Sequence, residues 1–179
     1  MTHCSNDSMR AQSLRLDLGC GRYKKSGYIG VDKFAAVSPD IVCDIEREQL
    51  PYPDGSVDEI YSSQVFEHLR DLNAVMEECH RVLRPQGLLH VTVPYWSSEG
   101  AFRDPTHVRF FSEKSFDYWE AGNECAYYAS VSPYKIESVD YLLHPSVFVH
   151  WARRLFGIRF LKAFNNMIVS VEFKLRAVK

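Results

Sequence analysis

The run Leu14-Arg15-Leu16-Asp17-Leu18-Gly19-Cys20-Gly21-Arg22-Tyr23-Lys24-Lys25-Ser26-Gly27-Tyr28-Ile29-Gly30-Val31-Asp32 decides how this chain is read. Leu14, Leu16 and Leu18 form a short apolar run, the signature of a buried strand. Gly19-Cys20-Gly21 follows at once, and glycine, lacking Cβ, lets backbone approach a ligand closely. Residues 28–32 read as a second strand that ends on Asp32. An acid at the end of the second strand of an open parallel sheet is placed to hold the hydroxyl pair of a ribose. The stretch therefore predicts a grip on a cofactor that contains a nucleoside.

A dinucleotide fingerprint requires a third glycine where Lys24 stands. Its acid also falls about twenty residues on, whereas Asp32 comes thirteen residues after Gly19. Asp17-Leu18-Gly19-Cys20-Gly21 instead resembles motif I of the class I S-adenosylmethionine-dependent methyltransferases, in which an acid and one residue precede Gly-x-Gly.

Later blocks strengthen the resemblance. Ile41-Val42-Cys43-Asp44 reads as a third strand ending in an acid. The loop Leu50-Pro51-Tyr52-Pro53-Asp54-Gly55-Ser56-Val57-Asp58 is similar to a characteristic segment of the family, and residues 57–62 form the fourth strand. Val65-Phe66-Glu67-His68-Leu69 matches the family's segment after that strand. Asp71 caps a helix to about Arg84, with Leu72, Val75, Met76, Cys79, Val82 and Leu83 in one stripe, and His80 on its polar side is expected in solvent. Pro85 and Gly87 stop the helix, in a block where Gln86 replaces the family's first glycine, and Leu88–Val93 is the fifth strand. Residues 134–143 and 167–178 read as strands six and seven, flanking a helix from Ser146 to Phe156 with Val147, Phe148, Trp151 and Leu155 on one side.

The resemblance implies an α/β, doubly wound, Rossmann-like sheet of seven strands, order 3-2-1-4-5-7-6, last strand antiparallel. Only nine residues (19–27) link the first two strands, where a parallel crossover needs about a dozen, so the first crossover helix is expected to be cut to a loop or single turn. Residues 1–179 are read as one methyltransferase-type (type 11-like) domain, with a flexible tail at 1–12 and an aromatic lid insertion at 95–130 that includes Tyr127 and Tyr128.

By the same resemblance the cofactor is S-adenosylmethionine. Asp17, Gly19, Cys20 and Gly21 would shape its methionine end. Asp32 beside Lys33 would hold the ribose, Asp44 beside Ile45 the adenine, and Ser62, Ser63 and Gln64 the floor near the sulfonium. The implied activity is methyl transfer to a small-molecule or carbohydrate-like acceptor. The alternative is a non-catalytic protein, regulator or partner, that binds the cofactor or its product S-adenosylhomocysteine.

The lid segment Asp104-Pro105-Thr106-His107-Val108-Arg109-Phe110-Phe111 crowds an acid, an imidazole and a guanidinium together. His107 is the candidate for taking the acceptor's proton, with Asp104 orienting its ring and Arg109 holding an acidic acceptor group. The competing reading is that all three only tie the lid together.

Net charge of −2 gives no reason to expect nucleic acid. Five widely spaced cysteines without Cys-x-x-Cys indicate neither zinc site nor disulfide framework, and reduced thiols fit a cytoplasmic protein. No metal is expected. Arg153, Arg154, Arg159 and Lys162 among Trp151, Leu155, Phe156, Ile158, Phe160 and Leu161 mark 151–164 as a segment for weak membrane-surface contact, against the reading of an ordinary packed crossover helix. Oligomeric state is not legible.

Overall fold

A computed structural model describes residues 13–123 and 132–179. The expected tail at 1–12 and the lid residues Tyr127 and Tyr128 lie outside them. Strands β1 (Arg15–Leu18), β2 (Ile29–Asp32), β3 (Ile41–Val42), β4 (Val57–Ser63) and β5 (Leu83–Pro94) pair in parallel. β7 (Ile168–Ala177) runs antiparallel between β5 and β6 (Tyr134–Leu143), giving one seven-stranded sheet of order β3-β2-β1-β4-β5-β7-β6. Order and antiparallel last strand are those expected.

β1 sits at the centre between β2 and β4, so Leu16, Asp17 and Leu18 are all buried, as both faces of a central parallel strand must be. No helix joins β1 to β2. Side chains of the link tie it down instead. The Lys24 ammonium pairs with Asp40, which also accepts the Gly30 N–H at 2.6 Å, and Lys25 Nζ lies 3.6 Å from the centre of the Tyr61 ring.

Helix α1 (Leu72–Val82) starts where the Asp71 carboxylate accepts the Ala74 N–H at 3.0 Å. It buries Leu72, Val75, Met76, Cys79 and Val82, as its spacing predicts. His80 is not in solvent: its Nε2 lies 2.9 Å from the Val178 carbonyl and its ring meets Tyr134 edge-on, because the chain's last strand passes over that face.

The helix ends two residues before the expected Arg84. Leu83 turns extended and pairs with Val57, residues 84–87 loop out, and pairing resumes at Glu59 and Leu88. Gln86 takes φ of 62° in that loop. This is the left-handed region, which costs a side chain about 1–2 kcal/mol and glycine almost nothing.

Among the described lid residues are two short helical pieces, α2 (Gly100–Arg103) and a 3-10 turn at Asp117–Trp119. Tyr95, Phe111, Phe116 and Trp119 join the core, while Phe102 and Phe110 stack on each other in the open. Helix α3 (Val147–Leu161) is kinked at Gly157 and continues past the expected end at Phe156. Val149, Ala152 and Leu161 are buried, whereas Val147, Phe148, Trp151 and Leu155 all face outward.

Gln86→Gly is expected to raise stability by about 1 kcal/mol and the melting temperature by about 2–4 °C, read by calorimetry. The Arg176 guanidinium reaches Gln86 through its backbone carbonyl, so glycine keeps that bond.

Candidate functional site

The turn after β1 is held by backbone. Gly19 and Cys20 both donate N–H to the Val31 carbonyl, at 2.8 and 3.3 Å. Gly21 donates to Asp32 Oδ2 at 3.0 Å, and Phe34 donates to Asp32 Oδ1 at 2.9 Å. Each Asp32 oxygen thus spends one acceptor position on the chain and keeps another. Gly19 has φ of +66°, and a Cβ built there would fall 2.3 Å from Val65 Cγ2. Only glycine lets the turn close onto the segment after β4.

These approaches enclose a cavity of about 900 Å³ at the C-terminal ends of the parallel strands. That edge is where open α/β sheets bind ligands. Gly19, Asp32, Lys33, Asp44, Ile45 and Gln64 line it, together with Phe34, Glu46 and Arg47. Val65 and residues 68–71 supply a second wall, and Pro105, Thr106 and Val108 of the lid a third.

The remaining expected cofactor residues stand behind this surface. The buried Asp17 carboxylate accepts the Lys25 N–H at 2.8 Å and so clamps the loop that replaces the missing helix. Burial pushes its carboxyl above the usual aspartate range. Cys20 is buried, and the Gly21 N–H is turned to Asp32. Ser62 is fully buried with its hydroxyl donated to the Leu18 carbonyl at 3.1 Å, and Ser63 pairs with Thr92 inside the sheet.

The site fits a nucleoside cofactor on this geometry: a carboxylate with free acceptor positions, a second one at Asp44 whose Oδ1 takes only the Glu46 N–H, and a cavity of suitable size between them.

A second group lies where the lid meets the 3-10 turn Phe66–His68. The Glu67 carboxylate, on a residue only 1% exposed, has no hydrogen-bond partner, and burial pushes its carboxyl up to about 7. His107 Nε2 is 4.0 Å from Glu67 Oε1, and His107 Nδ1 is 2.9 Å from the Ala101 carbonyl. The His68 and His107 rings meet edge-on with centroids 4.7 Å apart.

Asp104 does not touch the His107 ring. Its Oδ1 accepts both the N–H and the hydroxyl of Thr106, and those bonds hold its carboxyl below the usual range. The Thr106 hydroxyl in turn lies 2.9 Å from His68 Nδ1. Arg109 is spent on the Leu69 and Arg70 carbonyls rather than turned to a ligand. Sequence reasoning passed over Glu67; its signal was a charged residue inside the apolar run Val65-Phe66-Glu67-His68-Leu69.

A seven-stranded sheet of this order, with a glycine turn and paired strand-end acids around one cavity, defines a class I S-adenosylmethionine-dependent methyltransferase fold. Residues 16–91 match the family model described as "Methyltransferase domain". S-adenosylmethionine is the cofactor of the family.

Among curated relatives, the chain is 38% identical over 71 residues to malonyl-[acyl-carrier protein] O-methyltransferase 1 of Coxiella burnetii, covering 38% of this chain and 25% of the relative. It is 43% identical over 65 residues to the "Probable S-adenosylmethionine-dependent methyltransferase" of Mycolicibacterium smegmatis, covering 34% and 25%. The chain thus spans about a quarter of the length of these relatives. Its fold is similar to the structure of a methyltransferase from Archaeoglobus fulgidus, with TM-score 0.63, 18% identity and coverage of 93% of this chain and 86% of that one.

Gly19→Ala is expected to destabilise the protein by about 3 kcal/mol, from left-handed strain plus the collision with Val65. Adding Val65→Ala removes the collision but not the strain. Denaturant titration should therefore find the double mutant more stable than the sum of the single mutants requires.

Proposed function

We propose that this protein is an S-adenosylmethionine-dependent methyltransferase acting on a small-molecule or carbohydrate-like acceptor. The observation that carries the reading is the Asp32 carboxylate, fixed by two backbone N–H groups and lining the same cavity as Asp44 and Gln64. The cofactor supplies an electrophilic methyl group; the chain's own residues supply position and electrostatics. Asp32 would accept the ribose hydroxyls and Asp44 the adenine amino group. Lys33 and Ile45 would flank them, and Gln64 would face the reacting end. Asp17, Cys20, Gly21, Ser62 and Ser63 would act one layer back, by fixing the loop and strand ends. The malonyl-[acyl-carrier protein] relative makes an acyl group on a carrier the competing acceptor class, over the quarter of its length that aligns.

His107 is set back from the acceptor, since its side chain is 8% exposed and its residue is not among those lining the cavity. His68 does line the cavity, and Thr106 and Asp104 orient it, so it is the better placed imidazole.

Asp32→Ala should weaken S-adenosylhomocysteine at least about tenfold by isothermal titration, as loss of a charged acceptor for a buried hydroxyl pair requires. NAD should give no heat with either protein. Equal S-adenosylhomocysteine affinity in the two proteins sinks the assignment.

We further propose that the acceptor is met at an anionic lipid surface. Val147 is 84% exposed, and Phe148, Trp151, Leu155, Phe156 and Phe160 continue an outward apolar face, in which Phe148–Trp151, Trp151–Phe156 and Phe156–Phe160 are in ring contact. Exposed Arg153, Arg154 and Arg159 lie among them, the charge that anionic headgroups complement. No helix among the described residues is long and apolar enough to cross a membrane, so the contact would be with the surface. The protein should float with phosphatidylglycerol-containing vesicles at low salt and not with phosphatidylcholine alone, and Trp151→Glu should abolish flotation. A protein that stays at the bottom of the gradient with both vesicles retires the idea.

A further inference from the structure

The contact between Glu67 and His107 pairs two groups that repel unless something positive lies between them. The Ala101 carbonyl can only accept, so the His107 Nδ1 at 2.9 Å carries the ring proton. In the neutral ring Nε2 is then a bare lone pair, and it faces the Glu67 carboxylate at 4.0 Å. Neither Glu67 oxygen has another partner, and the residue is 1% exposed. A buried carboxylate without a hydrogen bond costs several kcal/mol, so such groups are paired or bind metal.

His68 is prepared in the same way. The Thr106 hydroxyl proton goes to Asp104 Oδ1 at 2.7 Å, so its oxygen accepts from His68 Nδ1 at 2.9 Å. That bond leaves the Nε2 lone pair of His68 free. One donor atom from each of Glu67, His68 and His107 lies within 4.8 Å of the others.

We propose that Glu67, His68 and His107 form a binding site for a divalent transition metal of the zinc class. Two imidazoles and one carboxylate are the donor set such ions take, whereas magnesium and calcium prefer oxygen alone. Metal–ligand bonds of about 2.0–2.1 Å set neighbouring donors roughly 3.3 Å apart, so the three side chains draw in by about an ångström on binding.

Both imidazoles already have their second nitrogen held, one by a backbone carbonyl and one by the Thr106–Asp104 pair, which is the outer support that metal-bound histidines use. The backbone is fixed as well, because Val108 and Arg109 donate N–H to the Glu67 carbonyl at 2.9 and 3.2 Å. Three protein ligands leave a position open, and the site adjoins the cavity through His68. This explains why a lid carrying an acid and a histidine closes on a buried glutamate, without using the methyltransferase reading.

The test is zinc and cobalt binding to the full chain after removal of metal with a chelator. One equivalent of Zn²⁺ should be retained against a competing chromophoric chelator, and Co²⁺ should give the visible absorption of a site with nitrogen and oxygen ligands. His107→Gln and Glu67→Gln should each weaken Zn²⁺ by at least about tenfold, with S-adenosylhomocysteine titration and circular dichroism reporting that each variant is folded. His68→Gln, at a partly exposed position, serves if the two buried changes prevent folding. Failure of the wild-type chain to retain Zn²⁺ at micromolar concentration overturns the proposal. Equal retention by wild type and every folded variant overturns it too. Zinc bound without S-adenosylhomocysteine, or the reverse, separates failure of the cofactor reading from failure of this one.

Discussion

The close approach at Gly19 is the constraint from which the site follows. The turn after β1 must leave the sheet, hand two N–H groups to Val31, and pass within contact of Val65. A side chain at that point would push the end of β1 away from the segment after β4. Asp32 and Gln64 belong to different strands' ends, and they border one cavity because nothing at Gly19 holds them apart. The missing helix between β1 and β2 makes the turn depend on polar ties instead. Asp17 under the Lys25 N–H and Asp40 between Lys24 and Gly30 are what hold the short link in place.

Burial of charge organises the other side of the cavity. Continuing past Val65 carries the chain into a 3-10 turn whose middle residue, Glu67, is driven inside. The lid is then fastened by that same turn. Two lid N–H groups reach the Glu67 carbonyl, and the Arg109 guanidinium reaches the Leu69 and Arg70 carbonyls. Satisfied backbone acceptors fix the lid's position, and the unsatisfied carboxylate beneath it marks the place where a cation belongs.

At the far edge the balance is reversed. α3 buries three small or branched side chains and leaves large aromatic ones outside, since the antiparallel pair β6–β7 already fills the core with Phe173, Leu175 and Tyr134. The apolar area left outward is a property of the helix's rotation, which the kink at Gly157 alters partway along.

What the sequence by itself determined is the part governed by local chemistry and by period. Leu16 and Leu18, the stripe from Leu72 to Val82, and the alternation from Ile168 to Ala177 named the strands and helix. Gly19-Cys20-Gly21 with Asp32 and Asp44 pointed to the sheet edge where the cavity lies, and the motif order carried the sheet topology. Tertiary structure alone decided which polar side chains face the cavity and which support it. Ser62 and Asp17 turn inward because strand pairing and a short loop claim their hydrogen bonds. His80 is covered by the last strand, 98 residues away. Glu67, His68 and His107 meet only because a lid inserted after β5 folds back across β4. No periodicity records such a meeting, since it depends on where the chain returns rather than on what its neighbours are.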